Sequence, residues 1–294
     1  MLEWLEISPG LTLVATATRA FLHESGTFGA DPFQEAMRGA GAPETTHWLL
    51  EGAIIAASRA FAPRQSAASC DSRSSQPAHV KATHWAYRLS GYFHTTDATR
   101  RLLPLVAQRF TQSGRQLLAG WAEQKVSEEA GHDQLALRDL SELGYRAQGL
   151  VRTFVPPRAR AWVALFEQLA RAADPVGCVG YAHALERLAL LRGPAEVDAI
   201  ERNLPQGVNA TRCLRVHSAL GSDARHVHAN VAATCALSAA ERRAVVEACY
   251  LTARIYFDPA LDDDFHSARL AVQVLAFRDA IRPSETLSPQ PDPN

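Results

Sequence analysis

The sequence predicts an all-α protein, a bundle of helices that run antiparallel to their neighbours. Alanine, leucine and arginine are abundant along the 294 residues, and runs of β-branched residues are scarce, which favours helix over strand. Alternation of apolar and polar residues, typical of a half-buried strand, is nearly absent. The helical segments are joined by short connections, and short connections usually join antiparallel neighbours.

The first helices are separated by a segment that favours neither helix nor strand. Helices are predicted over residues 11–23 and from Pro43 to residue 61. Residues 62–78, APRQSAASCDSRSSQPA, are rich in serine, proline and small residues, which bury little surface and therefore predict a mobile loop. Helical segments follow on both sides of Asp97, whose carboxylate suits the N-cap of the second segment.

A helix is also predicted over residues 125–144, KVSEEAGHDQLALRDLSELG, with Gly144 as a left-handed C-cap. Later boundaries are indicated by proline and capping signals, at Asp174-Pro175, at Gly193-Pro194 and at the capping box of Ser238 and Glu241. A last helix precedes a proline-rich C-terminal segment.

Together these elements predict a single helical domain over residues 1–281. It comprises N-terminal helices (1–61), the mobile loop (62–78) and a bundle core (79–281). Residues 282–294 are predicted to be a disordered tail.

Composition excludes several classes of function. The net charge of −1 provides no long-range attraction for nucleic acid or an anionic membrane. The five cysteines include no CxxC pair, and this odd, scattered set favours reduced thiols. Because there is no run of about 18 apolar residues and the N-terminus is a poor secretory signal, we expect a soluble cytoplasmic protein that binds neither nucleic acid nor membrane.

Acids and histidines recur three residues apart in the bundle core. Glu129 and His132 have this spacing, as do Asp223 and His226, and such side chains share one face of a helix. Glu186 lies between the two pairs in an apolar segment, where a buried carboxylate would need a partner. Carboxylates and imidazoles without thiolate, on facing helices, are typical of centres that hold two iron ions. The combination therefore predicts a metal-binding core.

The order of these segments resembles the heme-oxygenase-like diiron oxidases and oxygenases. The resemblance rests on the run EEAGHDQLALRDLSELG, on an apolar helix with one glutamate and on a later His…Asp-x-x-His segment, and it covers roughly residues 80–260. It implies a heme-oxygenase-like helical bundle, related in fold to thiaminase II and pyrroloquinoline-quinone synthase, with two iron ions and O2 as co-substrate. The implied metal ligands are Glu129, His132, Glu186, His217, Asp223 and His226.

His217 departs from the spacing usual in that family. It precedes Asp223 by six residues, which on an unbroken helix places the two side chains about 120° apart. Either Gly221 breaks or widens the helix and brings His217 back toward the site, or His217 is not a ligand.

The resemblance implies O2-dependent oxidation of a small amine, amino acid or fatty-acid-like substrate, by N-oxygenation, desaturation or oxidative carbon–carbon cleavage. Asp139 and His183 are candidates to support the metal ligands. Tyr181 is a candidate to line the pocket, and Arg212 and Arg215 are candidates to hold a substrate carboxylate. An external electron donor is left open, and so is a homodimer in which the apolar N-terminal helix packs on a second subunit.

Three alternatives remain open. A ferritin-like four-helix site would use Glu44 or Glu51 as its first carboxylate. A metal-independent enzyme would resemble pyrroloquinoline-quinone synthase or thiaminase II, and in the latter case Cys178 is the nearest candidate for the cysteine nucleophile. A non-catalytic helical binding protein would leave the same polar groups exposed or in ordinary ion pairs.

Overall fold

A computed structural model describes residues 3–8, 11–15, 20–24, 43–68, 78–218, 223–261 and 268–278. Within these ranges the chain is predominantly helical, as its composition predicts. The α-helices are α1 (Pro43–Ala68), α2 (Ala78–Gln112), α3 (Gln116–Glu128), α4 (His132–Glu142), α5 (Ala147–Thr153), α6 (Pro157–Arg171), α7 (Gly177–Glu201), α8 (Arg212–Ser218), α9 (Asp223–Cys235), α10 (Ala239–Phe257) and α11 (Ala268–Leu275). None of these helices combines the length and the apolarity that a membrane crossing requires.

The N-terminal segment forms strands, so the helix predicted over residues 11–23 was wrong. Its strands are β1 (Glu3–Ser8), β2 (Leu11–Ala15) and β3 (Ala20–Glu24), which pair as an antiparallel sheet in that order. Thr12 and Val14 are β-branched, and backbone pairing on both sides of β2 favours the extended chain over a helix. The segment expected to pack as a helix on a second subunit therefore forms a sheet.

Part of the predicted loop is helical. The helix α1 continues through residues 62–68, where a mobile loop was predicted. The composition of residues 62–68 does not favour a helix by itself. These residues extend an existing helix, however, and extension needs no new nucleation. Residues 69–77 of the predicted loop and the predicted tail lie outside the described ranges.

Two predicted boundaries lie inside continuous helices. The helix α2 passes Asp97 without a break, because Asp97 forms ion pairs with Arg100 and Arg101 on the helix surface instead of capping a new helix. The helix α7 likewise continues through Pro194. In contrast, the capping box of Ser238 and Glu241 begins α10 as predicted.

The helix α7 is central to the larger of two hydrophobic clusters. It packs against α10, α9 and α8, and α10 in turn packs against α1. The helix α2 packs against α3, α4 and α6, and its N-terminal part contributes to the second cluster together with α4 and α5. Residues near the middle of α7 therefore face several helices at once.

Gly180 lets α7 approach α10 closely. A Cβ atom at Gly180 would lie 1.9 Å from the carbonyl oxygen of Val245 and 2.9 Å from the amide nitrogen of Cys249. Because these are backbone atoms, the helices would have to separate to admit a side chain.

We expect Gly180→Ala to lower the free energy of unfolding by about 1–3 kcal/mol or more, since the added methyl overfills a closely packed contact. Gly120→Ala is the matched control, because Gly120 is exposed in α3 and has no atom within 4 Å of an added Cβ. The control is expected to stabilise by about 0.5–1 kcal/mol through helix propensity. Urea denaturation measures both, and equal effects of the two substitutions would contradict the close approach.

Candidate functional site

The helix predicted over residues 125–144 is interrupted at Gly131. The helix α3 ends at Glu128 and α4 begins at His132. Gly131 has a φ of 83°, a left-handed conformation that interrupts a helix and that glycine adopts at little cost. Gly144 adopts the left-handed conformation predicted for it after α4. The prediction of one continuous helix was therefore wrong, although its C-terminal end is as predicted.

Glu129 and His132 meet across this junction and not on one helix face. His132 Nδ1 lies 2.9 Å from Glu129 Oε2, and both side chains are about 15 % exposed. The bend at Gly131 thus preserves the contact that the ExxH spacing predicts, by a different geometry.

A partly buried group of charged side chains lies beside this pair, between α3, α7 and α9. We call it the Lys125 cluster, and it consists of Lys125, Glu128, Glu186 and His226. Lys125 Nζ lies 2.7 Å from Glu186 Oε1 and 3.1 Å from Glu128 Oε2. His226 Nε2 also lies 3.1 Å from Glu128 Oε2, and its Nδ1 lies 4.0 Å from Glu186 Oε1. Each nitrogen-bearing side chain therefore contacts both carboxylates.

Glu186 is held by a chain of buried hydrogen bonds. Asn230 Nδ2 donates to Glu186 Oε2 at 2.6 Å, and Trp121 Nε1 donates to Asn230 Oδ1 at 2.8 Å. Burial raises the pKa of Glu186 to about 7, although Lys125 and Asn230 both donate to its carboxylate. The apolar setting predicted for this glutamate is therefore present, and so are the partners that it requires.

Charge links the Glu129–His132 pair to the Lys125 cluster. The negative charge of Glu129 raises the pKa of both Glu186 and His226, so it lies close enough to act on both groups. For His226 this effect is outweighed by burial and by the charge of Lys125, which lower its pKa. Glu186 and His226 are therefore close together, and Glu129, which contacts His132, acts electrostatically on both.

One oxygen of the cluster lacks a well-formed hydrogen bond. Glu128 Oε2 is buried, and although Lys125 and His226 lie nearby, neither meets it with hydrogen-bond geometry. An acceptor oxygen in this state is able to bind a cation.

The two remaining predicted ligands, His217 and Asp223, lie on either side of residues 219–222. The helix α8 ends at Ser218, one residue after His217, and α9 begins at Asp223. Residues 219–222, which include Gly221, lie outside the described ranges, so the interruption of the helix at Gly221 stays a prediction. The side chains of His217 and Asp223 lie outside the described part of the structure.

Asp139 anchors α8. Its fully buried carboxylate accepts a hydrogen bond from the backbone N–H of Cys213 at 2.9 Å and another from Arg212 at 3.1 Å. Burial raises the pKa of Asp139, and the bonds from Cys213 and Arg212 oppose the rise. Asp139 thus positions the helix that carries His217.

The arginines predicted to bind a substrate carboxylate have protein partners. Arg212 pairs with Asp139 and Glu142, and Arg215 forms a two-pronged ion pair with Glu201 at 2.6 Å. Both guanidinium groups therefore tie α8 to neighbouring helices.

His183 and Tyr181 are buried without hydrogen-bond partners among the described residues. Neither ring nitrogen of His183 nor the Tyr181 hydroxyl has one, and Tyr181 stacks on Phe166 at 4.5 Å. Burial, followed by the charges of His47 and Arg187, lowers the pKa of His183 to about 3. His183 is therefore a neutral imidazole with one donor and one acceptor unused.

Cys178 is a poor nucleophile. Its thiol is 1 % exposed, and burial raises its pKa well above the ordinary value. Because the thiolate is the reactive form, this setting disfavours the metal-independent alternative that depends on Cys178.

We expect iodoacetamide to label Cys235 more than about tenfold faster than Cys178 in the folded protein, because Cys178 is both buried and protonated while Cys235 is partly exposed. Peptide mass spectrometry after short labelling measures the two rates. Comparable rates would restore Cys178 as a candidate nucleophile.

Sequence reasoning missed Lys125, Glu128 and Asn230. The signal for Lys125 was its rarity, since only Lys81 and Lys125 are lysines among the 30 basic residues. Glu128 was passed over because the ExxH spacing selected its neighbour, and Asn230 carries no sequence signal of its own.

Within the described residues, no group of three or more His, Cys, Asp and Glu side chains is arranged to hold a metal ion. In the Lys125 cluster, the ammonium of Lys125 contacts the carboxylates of both Glu128 and Glu186. No protein-family model, curated protein or solved structure matches the chain.

Proposed function

We propose that this protein is a non-heme diiron enzyme of the heme-oxygenase-like type, which uses O2 to oxidise a small amine, amino acid or fatty-acid-like substrate. One observation carries the proposal. Glu128 and Glu186 contact the buried ammonium of Lys125 from separate helices, His226 lies 3.1 Å from Glu128, and the Glu129–His132 pair follows Glu128 directly in the chain.

The donor set suits iron. Oxygen and nitrogen ligands without thiolate favour iron or manganese over a structural zinc site. The carboxylates of Glu128 and Glu186 stabilise a cation at the position of Lys125 Nζ. The buried Glu128 Oε2, which lacks a well-formed hydrogen bond, adds a ligand atom to the predicted set.

Glu129 and His132 would hold one metal ion, and His226 would hold the other together with Asp223 and His217. Glu186 would supply a further carboxylate ligand. When bound, two Fe(II) ions supply electrons for the reduction of O2, which no side chain supplies.

The chain's own residues orient the ligands and exclude water. Trp121 and Asn230 fix the rotation of the Glu186 carboxylate, and Asp139 fixes the start of α8. The neutral imidazole of His183 is able to donate one hydrogen bond to a substrate and to accept another. Residues of the larger hydrophobic cluster, among them Trp121 and Leu188, lie on the same helices as the site and would limit its contact with bulk water.

The test is anaerobic loading with Fe(II), followed by exposure to O2. We expect about two irons per chain, and mixing with O2 should produce an absorbance transient whose decay is altered by the substrate. Candidate amines, amino acids and fatty acids are screened by O2 consumption in excess of a no-substrate control. A folded protein that binds no iron under these conditions would overturn the proposal.

A further inference from the structure

Lys125 is buried far more deeply than an ordinary lysine. Its side chain is 3 % exposed, in the last turn of α3, and it donates to Glu186 at 2.7 Å. Ordinary lysines keep the ammonium in water, and a buried one requires compensating partners. Glu128 and Glu186 provide that compensation on two sides of the ammonium.

We propose that Lys125 is a built-in counter-cation of the metal-free protein, and that it is displaced when a divalent cation binds. This inference rests on the proposed function, since it concerns the same carboxylates. A metal ion bound to Glu186 Oε1 would take the oxygen that Lys125 Nζ now contacts. Like charges that share one oxygen repel strongly in a buried setting, so the two cations exclude each other.

The displaced ammonium has a favourable destination. Lys125 lies three residues before the end of α3, where exposed backbone carbonyls give the helix terminus a partial negative charge. Its flexible four-carbon stem allows the ammonium to move without backbone movement. Neighbouring Gln124 and Ser127 are exposed, so solvent lies within a short rotation of the side chain.

The exchange has a consequence for metal affinity. Without metal, Lys125 offsets the repulsion and desolvation of two buried carboxylates and keeps the site assembled. With metal, that contact must be broken, so the measured affinity is lower than the ligands alone would give. Removing the ammonium should therefore strengthen metal binding while it weakens the metal-free fold.

Titration calorimetry with Mn(II) tests the exchange without dependence on activity. We expect Lys125→Met to bind Mn(II) about tenfold more tightly than the wild type, and Lys81→Met, the substitution of the second lysine, to leave the affinity unchanged. Equal affinities of Lys125→Met and wild type would overturn the exchange and leave the proposed function standing. No Mn(II) or Fe(II) binding by either protein would overturn both.

A second measurement uses only the wild-type protein, so it does not depend on the folding of a variant. Amine acylation followed by mass spectrometry compares Lys125 with Lys81 in the same sample, with and without Mn(II). We expect acylation of Lys125 to be slow without metal and several-fold faster with it, while the Lys81 rate stays constant. An unchanged Lys125 rate in protein with bound Mn(II) would show that the ammonium is not displaced.

Discussion

Replacing Lys125 by methionine is expected to lower the free energy of unfolding of the metal-free protein by about 3–5 kcal/mol, the usual cost of removing one partner of a buried ion pair. The substitution keeps most of the apolar stem but leaves Glu128 and Glu186 without their shared cation. Urea denaturation in the presence of a chelator measures the change. The matched control is Arg100→Met, because Arg100 is about half exposed and pairs with Asp97 on the surface.

The control should change stability by less than about 1 kcal/mol, as exposed ion pairs do. Adding Mn(II) should recover part of the loss in Lys125→Met, since a bound metal replaces the missing positive charge. If both substitutions cost less than about 1 kcal/mol, Lys125 would not be the central cation of the cluster.

Replacing His226 by alanine is expected to remove at least one of the two irons per chain and to abolish the O2-dependent absorbance transient. His226 is partly buried and contacts Glu128, whereas His228 is exposed on the same helix, so His228→Ala is the matched control. The control should retain both irons, because an exposed imidazole does not take part in a buried site. Iron analysis after desalting under anaerobic conditions measures the difference.

A wild-type iron content in His226→Ala would remove this imidazole from the metal ligands. A similar loss in His228→Ala would point instead to adventitious iron on surface histidines. Both proteins are compared by circular dichroism beforehand, so that a folding defect is not mistaken for a lost ligand.

Some local signals in the sequence predicted local structure well, whereas the cap signal at Asp97 and the boundary at Pro194 lie inside continuous helices. Ser238 and Glu241 begin α10 with the reciprocal hydrogen bonds of a capping box, and Gly144 adopts the left-handed conformation after α4. The capping box and the left-handed glycine each depend on a few adjacent residues, so the sequence predicts them directly. The helical class also follows from composition summed over many residues.

Features that depend on distant contacts were not predictable in the same way. The segment over residues 11–15 fits a helix or a strand by its own pattern, and pairing with strands on both sides decides the outcome. Gly131 also fits inside a helical pattern, and its left-handed conformation becomes evident only from the junction of α3 and α4.

The same distinction between local signals and distant contacts applies to the candidate site. Glu129 and His132 are in contact because residues three apart in the chain stay close in space even across a bend. Lys125 and Glu128 have a spacing that is usual for exposed ion pairs, so their burial is not evident from the sequence. The decisive partner, Glu186, is 61 residues from Lys125 and reaches it only through the packing of α7 on its neighbours.

Anomalous diffraction from crystals prepared anaerobically with Fe(II) tests the central claim most directly. We expect iron peaks among the carboxylates of Glu129 and Glu186 and the imidazole of His226, with Lys125 Nζ moved away from Glu186. Crystals that contain iron elsewhere, while Lys125 still donates to Glu186, would contradict it.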